Sequence, residues 1–305
     1  MTALPIPEGA ATPMTNAPRV VLPLAGVLFD GRSARLRQLA EGHPMAGFLM
    51  LMAELTEAQQ QVLPLRDGEA LAGEALAHSR DFGMPPLAAL SHVRAGAWLA
   101  DLHDIASRLQ STPRAEPLRQ ALNALDSAQI EALADRVLAG QTLDSDAAAS
   151  PLVGAALQVY FTRLAAALDV SAVLHFDVPS LCPVCATRPM ASVLRVGAGR
   201  DQLRYLACAL CGTEWNLARI QCSACLSEKS TSYLGRSAEA ASPTSAHRAE
   251  ACDECHSYLK IFDQAHDPLI EPLVDDLASL ALDIAVGEQG YARSGPNLLW
   301  HPGGG

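Results

Sequence analysis

Apolar residues in the first half of the chain recur at helical spacing. Trp98, Leu102, Ile105 and Leu109 step by four, three and four residues, which is one face of a helix. Ile130, Leu133, Val137 and Leu138 make a second such face. Residues 152–168 (LVGAALQVYFTRLAAAL) are apolar nearly all round and read as a buried helix. Pro85 and Pro86 precede a helix beginning at Leu87, Pro113 and Pro117 follow it, and Gly140 closes the segment ending at Ala139. The pattern predicts an all-helical domain over residues 21–175, with six or seven helices. Before it, residues 1–20 contain Pro5, Pro7, Pro13 and Pro18 and read as a flexible arm.

Near Ser171 the periodicity shortens. Residues 192–196 (SVLRV) and 202–206 (QLRYL) read as strands flanking a hairpin turn over residues 197–201. Thr231–Leu234 and Tyr258–Phe262 are further short strands, and the Ala/Ser-rich stretch Ser237–Arg248 reads as a loop. The helical period then returns. Leu273, Leu277, Leu280 and Ile284 form one stripe, with Pro272, Asp275 and Asp276 suited to its first turn. The chain after Gly287 reads as irregular. The predicted fold is therefore multi-domain, α and β. A helical domain precedes a β-rich region over residues 176–268, and a C-terminal helix and tail occupy 269–305, the helix packing back on the body.

The β-rich region carries the chemistry. All eight cysteines of the 305-residue chain fall there, in four Cys-x-x-Cys pairs. They are Cys182/Cys185, Cys208/Cys211, Cys222/Cys225 and Cys252/Cys255. Two intervening residues let a tight turn aim both sulfurs at one metal ion, so four turns supply two tetrahedral thiolate sites. The gaps between pairs are 22, 10 and 26 residues. The longer gaps accommodate the strand-turn-strand excursion of a ribbon site, and the short one suits a connector. Spacing thus favours one site from the first two pairs and another from the last two. An interleaved arrangement, first pair with third and second with fourth, stays open. Both sites are coordinatively closed, which argues against hydrolytic metal catalysis. Zinc and a single rubredoxin-like iron both suit four sulfurs, and spacing does not separate them.

Other chemistries fit less well. A thioredoxin-like dithiol opens a helix after a strand, whereas these pairs sit among short strands and loops. Residues 252–256 read C-x-x-C-H, the form of a c-type haem attachment, but that use would strand Cys222 and Cys225. The other histidines are scattered, and neither a Gly-rich phosphate loop nor a G-x-S-x-G elbow occurs. The chain reads as a non-enzyme.

Charge narrows the partners. The formal net charge is −11, divided as −7 over residues 1–177 and −4 over residues 178–305. No basic run is present to track phosphates, which speaks against a zinc-ribbon nucleic-acid binder. Arg195, Arg200 and Arg204, around the predicted hairpin, read as a solvated face or a docking surface for an acidic partner. No signal peptide or membrane-spanning run is apparent, so membrane insertion is not expected and the cytoplasm is.

Six strings then point to a family: CPVC at 182–185, RYLACALCGTEW at 204–215, QCSAC at 221–225, ACDECHSYLKI at 251–261, DDLASLALDI at 275–284 and GYARSGPN at 290–297. Together they resemble FdhE, the bacterial formate dehydrogenase accessory proteins. PLVGAALQVYFTRLA at 151–165 is a looser match. The resemblance implies a cytoplasmic maturation factor that binds the catalytic subunit of a respiratory formate dehydrogenase before its export. It implies two rubredoxin-like sites on Cys182, Cys185, Cys208, Cys211, Cys222, Cys225, Cys252 and Cys255, with iron as the metal and zinc as the alternative. Rubredoxin-like knuckles often place glycine after the second cysteine, where a left-handed backbone is wanted. Gly212 does so here; Ala186, Leu226 and His256 occupy the other three positions.

Overall fold

The computed structural model describes residues 17–66, 71–197, 199–229, 231–235 and 245–300. A two-residue strand, β1 (Val20–Val21), precedes seven helices: α1 (Ala25–Ala40), α2 (Ala46–Val62), α3 (Gly73–Asp81), α4 (Ala97–Arg108), α5 (Glu116–Asn123), α6 (Ser127–Ala139) and α7 (Ser150–Ala166). Of the proline-rich arm, residues 1–16 lie outside the described residues, and Val20 already pairs with Trp215.

α7 is the helix that was apolar all round, and every residue from Ser150 to Ala165 is buried. It packs against α2, α4 and α6. Its Gly154 is required by crowding, because an added Cβ would lie 2.4 Å from the Leu298 carbonyl oxygen. The expected faces are also in place: Trp98, Leu102 and Ile105 on α4, and Ile130, Leu133, Val137 and Leu138 on α6, are buried. Asp126 and Gln129 form a capping box at the start of α6, and Gly140 ends it at φ 66°.

One helix boundary differs from expectation. No helix begins at Leu87; residues 82–96 are turns and irregular chain, and α4 starts at Ala97. The reason is local. The Leu87 N–H donates to Val184 O and the Ala89 N–H to Cys185 O, each at 2.9 Å, so these donors serve a distant segment. Pro113 and Pro117 do follow a helix, α4, and each sits in a first turn, Pro113 in a single helical turn before α5 and Pro117 in α5 itself.

The β-rich region contains β2 (Ala191–Leu194), β3 (Arg204–Ala207), β4 (Glu214–Asn216), β5 (Thr231–Leu234), β6 (His247–Cys252) and β7 (Ser257–Asp263). Then come α8 (Pro272–Ala278), α9 (Leu280–Gly287) and β8 (Ala292–Arg293). The sheet runs in the order β1-β4-β3-β2-β7-β6-β5, and β8 pairs with β7. Each ribbon contributes three antiparallel strands, and the two trios join through the parallel pair β2–β7, with Ser192 opposite Ile261. Tandem ribbons are thus fused edge to edge into one sheet.

The expected Ser237–Arg248 loop holds at Ser245 and Ala246 but not at His247 and Arg248, which open β6; residues 237–244 lie outside the described residues. The alternation was masked because β6 buries charges. Glu250 pairs with Arg204 at 2.6 Å, and Arg248 lies 4.9 Å over the Tyr233 ring. The expected C-terminal stripe also breaks. Ser279 leaves helical geometry between α8 and α9, its hydroxyl donating to Asp275 O at 2.7 Å and accepting from Lys260 Nζ at 3.1 Å. Leu273 and Leu277 stay buried, but Ile284 turns to solvent and Leu282 and Val286 replace it.

The C-terminal helices do pack back on the body. Arg32 of α1 meets Glu271 at 2.9 Å and Arg35 meets Asp275 at 2.6 Å. The tail is pinned as well: Asn297 Nδ2 donates to Leu273 O at 3.0 Å and to Asp276 at 2.9 Å. Gly295 leaves no room for a side chain, since a Cβ would lie 1.9 Å from Pro189 O. Among the described residues no helix is long and apolar enough to cross a membrane.

Candidate metal centres

The four knuckles share one construction. In three of them the first cysteine's N–H donates to the carbonyl five residues on: Cys182 to Thr187 at 2.9 Å, Cys208 to Thr213 at 3.0 Å and Cys222 to Ser227 at 2.9 Å. The fourth pairs Cys252 with Ser257 across the β6–β7 hairpin. The residue after each second cysteine is left-handed: Ala186 at φ 61°, Gly212 at φ 72°, Leu226 at φ 63° and His256 at φ 52°. The turn geometry is therefore kept without glycine at three of four positions, at about 1–2 kcal/mol of local strain each.

These turns gather the eight sulfurs into two groups, Cys182, Cys185, Cys208 and Cys211, and Cys222, Cys225, Cys252 and Cys255. Within each group the four sulfurs lie within 4.8 Å of one another. The consecutive pairing favoured by spacing is the one found. Cross-knuckle separations are 3.6 Å (Cys182–Cys211), 3.4 Å (Cys185–Cys208), 3.8 Å (Cys222–Cys255) and 3.7 Å (Cys225–Cys252). A tetrahedron with metal–sulfur bonds of about 2.3 Å has sulfurs about 3.8 Å apart, and a disulfide needs about 2.05 Å. The donor sets are consistent with metal sites.

Hydroxyl groups complete the pattern. Every second cysteine is followed two residues later by Thr or Ser: Thr187, Thr213, Ser227 and Ser257. Thr187 Oγ1 lies 3.1 Å from Cys185 Sγ and 3.2 Å from Cys208 Sγ, Thr213 Oγ1 lies 3.2 Å from Cys211 Sγ, and Ser257 Oγ lies 2.9 Å from Cys255 Sγ. Backbone N–H groups of Leu210 and Cys211 also donate to Cys208 Sγ, at 3.3 and 3.4 Å. The motif is C-x-x-C-x-[S/T] four times over, a signal present in the sequence and overlooked there.

Ionisation is uneven within each group. Burial pushes the Cys182 and Cys185 thiols well up. Burial also opposes ionisation of Cys208, yet hydrogen bonds from its three neighbouring thiols and Thr187 hold it well below the ordinary value. In the second group, the Ser227 N–H favours the Cys225 thiolate, but burial and the neighbouring thiols push it up to about 12. Burial would raise Cys255 too, while Ser257 and the adjacent thiols bring it down to about 7. Cys208 is thus lowered while Cys182 and Cys185 are raised, and Cys255 is lowered while Cys225 and Cys252 are raised, because adjacent anions repel. Four thiolates at this spacing need a cation to coexist.

Three other expectations resolve here. Cys252 leads from a strand into a turn, and no helix opens there, unlike a thioredoxin-like dithiol. His256 is exposed and lies 6.1 Å from the Tyr291 ring. The arginines near the hairpin form neither a solvated face nor a docking surface: Arg195 and Arg200 pair with Glu214, and Arg204 is buried against Glu250. A third group, His247, Asp267 and Asp275, holds the Arg35 guanidinium between its carboxylates, so it is an ion-pair net rather than a cation site.

Three family models match consecutive stretches: the FdhE N-terminal region at residues 17–176, the FdhE central domain at 181–219 and the FdhE C-terminal domain at 220–300. A protein FdhE homolog of Pseudomonas aeruginosa is 43% identical over 289 residues, 91% of each chain. A homolog of Pseudomonas putida is 40% identical, over 98% of this chain and 94% of its own. Protein FdhE of Salmonella paratyphi B is 32% identical, over 94% and 93%. The crystal structure of the FdhE protein from Pseudomonas aeruginosa superposes with a TM-score of 0.85 at 40% identity, covering 94% of this chain and all of that one. The chain belongs to the FdhE family of formate dehydrogenase accessory proteins.

Proposed function

We propose that the chain is a maturation factor for a respiratory formate dehydrogenase. It binds the catalytic subunit in the cytoplasm before export, and it is not itself an enzyme. Its eight cysteines hold two metal ions, with iron favoured and zinc the alternative. The observation that carries the reading is the pair of four-sulfur groups, with 3.4–3.8 Å cross-knuckle separations, in a member of this family.

What the residues do follows from their placement. The knuckle turns orient the sulfurs, the Thr and Ser hydroxyls and backbone N–H groups spread thiolate charge, and burial of the first group excludes water. Iron bound there would supply a one-electron couple with little geometric change; zinc would supply only structure. The nucleic-acid alternative loses support, because the arginines nearest the hairpin are engaged internally.

The test combines metal analysis with partner capture. Protein purified without air is expected to contain two metal ions per chain, red on oxidation if iron and colourless if zinc. It is expected to retain the catalytic subunit in pull-down. Changing Cys182 and Cys185 to Ser should lower the metal content, weaken capture and reduce formate dehydrogenase activity in cells. Unchanged metal, capture and activity would together remove the cysteine-dependent reading.

A further inference from the structure

A groove of about 330 Å³ lies against the first sulfur group, with Cys185 and Thr187 in its lining and the rest of its wall made by residues outside that group. Its size is that of sites taking small ligands or a partner's side chains. The floor is made by knuckle tips: Ala186 follows Cys185, and Leu210 lies between Cys208 and Cys211. Leu90, Ala139 and Leu298 form the apolar walls, and Leu90 is 76% exposed. Such an exposed apolar concavity beside polar surface is a mark of an interaction site.

Charge says what fits it. Arg188 is the single charged lining residue, it is exposed, and among the described residues no ion pair engages it. Many of the chain's other arginines are drawn to its own carboxylates, as at Arg35, Arg66, Arg94, Arg195 and Arg293, although Arg108 meets only a backbone carbonyl. On a chain of net charge −11, a free cation at an apolar groove is a local complement for an anion joined to an apolar group.

We propose that this groove is the docking site for the partner protein. It takes a segment presenting a large apolar side chain next to a carboxylate, and the carboxylate meets Arg188. The inference rests on the accessory role proposed above and deepens it. The groove is also tied to the first sulfur group rather than the second. Its Leu90 wall hangs from the CPVC knuckle through the Leu87 N–H to Val184 O and Ala89 N–H to Cys185 O bonds, both 2.9 Å. Loss of the first site therefore loosens the wall, and loss of the second does not.

The experiment measures binding of the metal-loaded full-length chain to purified formate dehydrogenase catalytic subunit. Ala139→Trp fills the groove from an exposed position, and Arg188→Glu reverses the rim charge. Each is expected to weaken binding at least ten-fold with unchanged metal content and circular dichroism, while Arg188→Lys stays within a few-fold of the parent. Parent-like affinity in both Ala139→Trp and Arg188→Glu overturns the groove and leaves the accessory role intact. A parent chain that does not bind the subunit overturns the accessory role and this inference with it. Cys185→Ser is expected to abolish binding, because loss of the first site unfolds the wall with the ribbon, and Cys255→Ser to weaken it less than two-fold; equal losses overturn the tie to the first site.

Discussion

The two sulfur groups are built alike and surrounded differently. Cys182, Cys185, Cys208 and Cys211 are all buried and belong to the same apolar core as α2, α4 and α7. Cys225 and Cys255 are exposed, and the small core beneath that ribbon is a separate one, made of Ala249, Ala251, Tyr258, Leu282 and Val286. The first ribbon is wedged into the helical region: Gln158 of α7 donates to Ala209 O at 2.8 Å, inside the CALC knuckle. The second ribbon reaches that core through Leu259 and Phe262 of β7, through Leu273, Val274 and Leu277 of the following α8, and through the ion pairs of Glu271 and Asp275 with α1. A repeated metal knuckle can thus serve as a keystone in one setting and a rim feature in another, with the neighbours deciding which.

The sharpest break in that comparison comes from ligand loss. A structural tetrathiolate site contributes roughly 10–16 kcal/mol of apparent folding free energy at neutral pH, more than a typical domain's whole net stability of about 5–15 kcal/mol. Cys185→Ser should therefore melt the helical region together with the ribbon. Cys255→Ser should lose one metal ion and leave the α7 core folded. Thermal unfolding followed by circular dichroism, with metal counted per chain, decides this. A helical melting loss as large for Cys255→Ser as for Cys185→Ser would erase the distinction.

Next in size is the bridge between the ribbons. Arg204 and Glu250 are almost fully buried, and Arg204 Nη1 also donates to Gln221 O, in the connector between the two sites, at 2.6 Å. Glu250→Gln leaves a buried cation without its counter-charge, at a cost of about 3–5 kcal/mol. Denaturant unfolding should show it, with the second ribbon affected at least as much as the first. A change below about 1 kcal/mol would mean that the ribbons are held by their β2–β7 pairing alone.

Glycine usage gives a smaller contrast. Gly212 is crowded, since an added Cβ would lie 2.9 Å from Leu28 Cδ2 on α1. Gly212→Ala thus combines left-handed strain with a displacement of the Leu28 side-chain tip and should cost about 1–2 kcal/mol. His256 is exposed in the same backbone conformation, so His256→Gly should gain up to about 1 kcal/mol. Matched melting curves check both signs, and stabilisation by Gly212→Ala would refute the crowding argument.

Those knuckles also show what sequence could and could not reveal. Grouping of the cysteines was legible because ligand spacing is a local property of the chain. Helices such as α6 and α7 were legible because one face, or all faces, are apolar. Glycine after the second cysteine was a poor guide, because the turn tolerates a side chain wherever no neighbour presses on it. The Thr and Ser residues two positions on were readable as a fourfold repeat, yet composition alone marks them as loop. β6 and the irregular segment 82–96 were hidden for another reason. Their conformation depends on distant partners, Arg204 for Glu250 in one case and the Val184 and Cys185 carbonyls in the other. The break at Ser279 likewise comes from Lys260, which no helical periodicity encodes.

Acid should separate the two regions by the smallest margin, through two buried carboxylates of opposite behaviour. Burial would raise Asp275, but hydrogen bonds and charge from His247 and Arg35 hold it below the usual range. Its contribution is present above the unfolded carboxylate value, about 3.9, and is lost as pH falls through the lower folded value. Asp101 of α4 is instead raised, because burial outweighs Arg163 and Arg66. Its contribution is fully present below the unfolded value and is lost as pH rises through the folded one, so acid does not weaken α4 at this residue. Between pH 5 and pH 3, hydrogen exchange read by mass spectrometry should show α8 and β6 losing protection before α4. Early opening of α4, with α8 still protected, would mean that the ion pairs at Arg35 do not hold the second ribbon's helices to the body.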